Sequence, residues 1–237
     1  KPHFFLAQLI RSEQIQGLTL RVSGCEYARD ITAFPAALRE GTVFLRTDAL
    51  QRWLAEKIEI WSVHEADGAL KSAIDCYGMQ GDKATLLPRM AEQESEVLIL
   101  HEIGEAMAEP MLGTVWRDML LSFNSRRAIF MARSVRDNLA DCLSTLPELV
   151  RREQTCSIHF YFANLEGLRR TLFPLLVTAY EHWCESGDTS LLLAAAESGR
   201  AHWLAVARQL LSTWQNDPQG AQMLIDGWVD QHGSLAL

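Results

Sequence analysis

The stretch LTLRVSGC, Leu18 to Cys25, alternates apolar and polar residues as a half-buried strand does. It reads equally well as an extended connection. The choice decides the fold class, because the rest of the chain carries little strand signal. Residues 1–46 around this stretch are the least regular part of the sequence, and from Thr47 onward apolar residues recur at helical spacing. The expectation is an all-α protein: a multi-helix bundle of about seven helices, forming a single helical domain over residues 1–237 with an irregular N-terminal cap at 1–46.

Working outward, TDALQRWLAEKIEIWSVHEADGALKSAI reads as one helix, with Leu50, Leu54, Ile58, Trp61 and Glu65 at helical spacing. GMQGDKATLLP is a glycine-containing break. PRMAEQESEVLILHEIGEAMAEP is the next helix, opened by Pro88 and stopped by Pro110. SRRAIFMARSVRDNLADCLSTLP has Ser125 as its N-cap and Pro147 as its stop. In SIHFYFANLEGLRRTLFPLLVTAYEHWCESG, Pro174 kinks or splits the helix. DTSLLLAAAESG and GRAHWLAVARQLLSTW come next, and the Asp-Pro of DPQGAQMLIDGWVDQ starts the last helix.

Composition narrows the class. Hydrophobic residues make up 48% and charged residues 22%, the balance of a folded soluble chain. The net charge of −8 and the lack of a Lys/Arg run disfavour nucleic acid and anionic membrane as partners. No apolar run approaches the roughly 20 residues a membrane span needs. The five cysteines, Cys25, Cys76, Cys142, Cys156 and Cys184, are odd in number, far apart and without a C-x-x-C pair. That argues against a disulfide framework or a structural zinc site, and for a reducing, cytoplasmic location. Seven tryptophans offer either core packing, a hydrophobic small-molecule pocket, or a partner or homo-oligomer surface.

The residues with chemical potential start in EVLILHEIGEAMAEP, Glu96 to Pro110. His101 and Glu105 are four apart, so they share a helix face and can converge on one divalent metal such as Zn, Mn or Fe. Glu102 lies about 100° round the helix and is the candidate catalytic base, accepting a proton from a metal-bound water. Asp137 and Asp141, four apart on the next helix, and His159 among the aromatics of SIHFYF are candidates to complete the site. The same acids serve equally as ion pairs with arginines across helices, with Arg133 and Arg136 beside Asp137.

Three resemblances are local. HEIGE resembles the H-E-x-x-H helix of zinc metalloproteases, with Glu105 where the second His stands and Met111 where a downstream His would fall. LHEIGEA resembles the LLHDIGK of HD-domain phosphohydrolases, which implies His64 as a first ligand and Asp137 or Asp141 as a last. Glu94 and His101 resemble the E-x6-H of heme-oxygenase-like di-iron oxidases, whose later H-x3-D-x2-H has no counterpart here. Each covers a few residues, and none assigns a family. Two functions are expected. One is a metal-binding protein, a metal-dependent hydrolase or di-iron-type oxidase with its site between helices. The other is a non-catalytic binding or scaffold protein whose polar clusters are interhelical salt bridges.

Overall fold

The computed structural model describes residues 4–30, 34–64, 67–78, 83–230 and 237, with the backbone alone at 64, 83–85, 229 and 230. Its N-terminal part is a sheet, which corrects the all-α expectation. Strands β1 (Phe5–Ile15), β2 (Leu18–Arg29), β3 (Ala36–Arg39) and β4 (Thr42–Arg46) form one mixed sheet in the order β1-β2-β4-β3. The pair β2–β4 is parallel and the other two are antiparallel. Leu18–Cys25 is therefore strand, and it belongs to a central one.

Two short turns make this sheet possible. Gln16 and Gly17 join β1 to β2, and Glu40 and Gly41 join β3 to β4; all four have positive φ, between 48° and 82°. Two successive positive-φ residues match the twist of an antiparallel hairpin, and glycine takes the second place at no steric cost. Leu20, Val22, Val43 and Leu45 point to one face and are buried against Ile99 and Ile103. At roughly 1.5–3 kcal/mol per fully buried aliphatic side chain, this face fixes the strand register. Further along β2, the Glu26 side chain is 3% exposed and gathers Arg46, Arg52 and Arg29.

The helices are α1 (Thr47–His64), α2 (Ala69–Tyr77), α3 (Lys83–Leu112), α4 (Thr114–Ser122), α5 (Arg126–Ala140), α6 (Leu146–Arg151), α7 (Thr155–Asn164), α8 (Gly167–Leu172), α9 (Pro174–Ser186), α10 (Ser190–Asn216) and α11 (Pro218–Asp230). A π-turn at Asp141–Thr145 joins α5 to α6. The expected single helix after Thr47 is two, parted at Gly68, whose φ of 138° no helix accommodates. Helix α3 outruns both of its prolines. Ser125 does cap α5, its hydroxyl accepting from the Ala128 amide. Pro147 does not end the helix: it stands in the first turn of α6, where its missing N–H costs little. Pro174 splits its segment and opens α9. Asp217 opens α11 by accepting from the amides of Gln219 and Gly220.

The two helices expected around Gly199 are one, α10. Gly199 is a point of close approach, not a stop. A Cβ there would lie 2.5 Å from the Phe173 ring and 2.7 Å from Cys142 Sγ. Gly104 plays the same part in α3, where a Cβ would lie 2.2 Å from the Ala140 carbonyl oxygen.

The chain forms two compact units, residues 1–103 with 153–163, and residues 104–152 with 164–237. The first holds the sheet and a core of Leu50, Leu54, Ile58, Ile74, Met90 and Phe160, among others. It also holds one disulfide, between Cys76 and Cys156, eighty positions apart, a pairing that cysteine count and spacing, which argue against a disulfide framework, do not foresee. In the second, α10 packs along α5, α9 and α11. Among the described residues, no helix is long and apolar enough to cross a membrane.

Candidate functional site

The acids picked out by helical spacing lie on α3, on α5 and, for Asp141, in the π-turn after α5. The face of α3 carries His101 and, one turn later, Glu105, and each offers a ligand atom within 4.8 Å of the other. Glu105 and Asp137 meet the same limit. A His with two carboxylates is a donor set that zinc or iron accepts. A cation is already there, however. Arg136 donates to Glu105 Oε1 at 2.5 Å and to Asp137 Oδ1 at 3.1 Å. One guanidinium bridging two carboxylates fills the geometric and charge role a divalent ion would take.

Asp141 is held apart from that pair. It is 1% exposed, pairs with Arg169, and accepts from the Thr145 hydroxyl at 3.0 Å. Glu102, the candidate base, is buried at 8% exposure. His159 is half-buried on α7, in the unit that also holds His101 and Glu102, and burial lowers its pKa. The His64 side chain lies outside the described residues. The cysteine nearest these acids, Cys142, is buried; burial first, and then the charge of Asp141, push its thiol well above the usual range, so it is no nucleophile.

A second polar centre lies wholly in the first unit. Glu94 is fully buried on α3. Its Oε1 accepts from the Tyr77 hydroxyl and, at 3.2 Å, from the Ser157 hydroxyl, while Oε2 has no partner among the described residues. Burial pushes the Glu94 carboxyl up to about 7, and the two hydroxyl donors only partly offset it. Burial and the neighbouring Glu94 charge in turn raise the Tyr77 phenol. In the sequence Glu94 stands out only through a two-residue resemblance, and Tyr77 and Ser157 carry no signal.

Tyr77 also lines an open cleft of about 700 Å³ in this unit. Its walls come from the sheet (Val22, Leu45), from the start of α1 (Thr47, Gln51) and from α3 (Arg89, Gln93). The lining mixes aliphatic groups, amides and both signs of charge, since Arg11, Glu92 and Glu96 complete the rim. Pockets with a few convergent polar groups and nearby shifted carboxyls are where ligands bind most often.

Fold and polar centres together define a mixed protein: a small N-terminal sheet followed by helices, with arginine-paired acids in both units and a cleft in the first. The chain belongs to a family of unknown function (DUF6866). The model of the family's C-terminal domain matches residues 51–232, and that of its N-terminal domain matches residues 1–46. No curated protein and no solved structure matches it.

Proposed function

We propose that the protein is a small-molecule-binding protein whose ligand site is the cleft of the first unit, and that the acids of α3 and α5 are structural ion pairs. The cleft carries this reading. Its volume of about 700 Å³ falls inside the range of small-molecule sites, roughly 300–1,000 Å³. Aliphatic groups of the sheet supply burial, and Arg89, Gln51 and Gln93 supply direction, which suits an amphipathic ligand with a polar or anionic head. The test uses the amphipathic anion anilinonaphthalene sulfonate as probe. Saturable one-to-one binding is expected, weakened roughly tenfold, or about 1.4 kcal/mol, by Gln51→Trp, which fills the cleft. Binding that does not saturate, or that ignores the substitution, contradicts the reading.

The closeness of ligand atoms on Glu105 and Asp137, within 4.8 Å of each other, favours a second reading, a divalent metal site on these two carboxylates. It requires the ion to displace Arg136. Calorimetric titration with Zn²⁺ tests it: a stoichiometric site in the native protein that is lost in Glu105→Ala would support it, and no uptake would end it.

A further inference from the structure

The disulfide and the buried carboxyl are built from the same residues. Cys76 and Cys156 are bonded, and the residue after each, Tyr77 and Ser157, donates to Glu94. The bond thus ties the end of α2 to the start of α7 where both deliver a hydroxyl to one oxygen of α3. Cys76 is exposed and Cys156 half-buried, so a reductant can reach the pair from the Cys76 side. Cys142 is free and buried, and Cys25 and Cys184 are free and exposed, so Cys76 and Cys156 are the two thiols that the fold brings together as a couple.

We propose that Cys76–Cys156 is a reversible redox-modification site, and that its partner is a dithiol reductant that opens it in the folded protein and so releases Tyr77 and Ser157 from Glu94. A thiolate of the reductant attacks Sγ of Cys76. The Cys76–Cys156 bond breaks, and Cys156 leaves as thiolate and takes a proton. The second thiol of the reductant then gives up its proton and attacks the mixed disulfide, releasing Cys76 as a thiol. Two electrons and two protons pass to the protein, and the reductant leaves as its own disulfide. Because Tyr77 lines the cleft, opening the bond loosens one of its walls. The proposal does not depend on what the cleft binds.

The test incubates the whole chain with dithiothreitol at graded ratios of its reduced to oxidised form. The protein is denatured in the presence of the alkylating agent, so that buried Cys142 reacts as well, the modified cysteines are counted, and amide hydrogen exchange of the folded protein is followed in parallel. Three alkylated cysteines are expected in the oxidised protein and five in the reduced, since the chain has five and the bond uses two. Reduction should raise exchange in α2 and α7 roughly tenfold, leave α10 unchanged, and reverse on reoxidation. Tyr77→Phe, which keeps the disulfide and removes the hydroxyl, should loosen α2 without changing the thiol count. Five thiols under every condition would overturn the proposal, because no bond forms. So would an α10 that loses protection together with α2, because the bond would then be a staple without which the fold fails. Unchanged exchange in α2 and α7 would overturn it too.

Discussion

Two ways of burying an acid stand side by side in this molecule. In the second unit, Asp141 and the Glu105–Asp137 pair are each given an arginine, Arg169 or Arg136. In the first, Glu94 is given two hydroxyls, Tyr77 and Ser157. A guanidinium offsets the charge of a carboxylate, whereas a hydroxyl only solvates it. The arginine-paired acids are therefore fitted to hold helices together. Glu94 is left to exchange its proton near neutral pH. Acidic residues at metal-ligand spacing are thus not enough to mark a functional carboxylate. The one with no cation beside it is the one whose state can change.

The comparison breaks most visibly at Arg169. Changing it to Met removes the guanidinium from a carboxylate that is 1% exposed, and the expected loss is on the order of 3 kcal/mol in denaturant unfolding at pH 7. A loss under about 0.5 kcal/mol would mean that Asp141 does not need its partner.

Glu94 sharpens the contrast through pH. Its folded carboxyl is raised from 4.5 to about 7, so between those values the folded protein keeps a proton that the unfolded chain has lost. Stability due to this group therefore falls as pH rises through that window, by about 3 kcal/mol in all. Glu94→Gln cannot ionise. Its stability relative to the native protein should improve by about that amount between pH 4.5 and pH 8, read from unfolding at each pH. A difference that stays flat would show that Glu94 is ionised throughout.

Arg136 gives the smallest effect. Its side chain is 29% exposed, so Arg136→Met should cost only about 1 kcal/mol. The more informative readout is Zn²⁺ uptake. Removing the guanidinium takes away the cation that bridges Glu105 and Asp137, and Zn²⁺ uptake should rise in the variant relative to the native protein. Equal uptake by both would make Arg136 a bystander.

Much of the helical architecture can be read from the sequence, because its cues are local: the Ser125 cap, the split at Pro174 and the Asp-Pro start of α11. The sheet is legible only in the alternation of Leu18–Cys25 and in two hairpin turns, Gln16-Gly17 and Glu40-Gly41, because β1 is exposed along most of its length and shows no alternation to detect. Gly104 and Gly199 look like breaks or motif residues until the opposing atoms are known. In the candidate site, the His101–Glu105 face comes from spacing alone, and Arg136 is one of the two arginines that the sequence sets beside Asp137 as the alternative to a metal. Arg169 has no such cue, since it lies 28 residues from Asp141. Tyr77 and Ser157 stand 17 and 63 residues from Glu94, and the cysteine pair is eighty apart. Only tertiary packing brings such groups together, and an odd cysteine count conceals the pair.

The most direct measurement is the carboxyl titration of Glu94 itself. Carbon-13 NMR of protein labelled at the glutamate carboxyls, with the resonance assigned by its absence in Glu94→Gln, follows that group alone across pH. The expected midpoint is about 7. A midpoint at the ordinary glutamate value of 4.5 would contradict the account, because it would place a compensating cation beside Glu94 and erase the difference between the two regions.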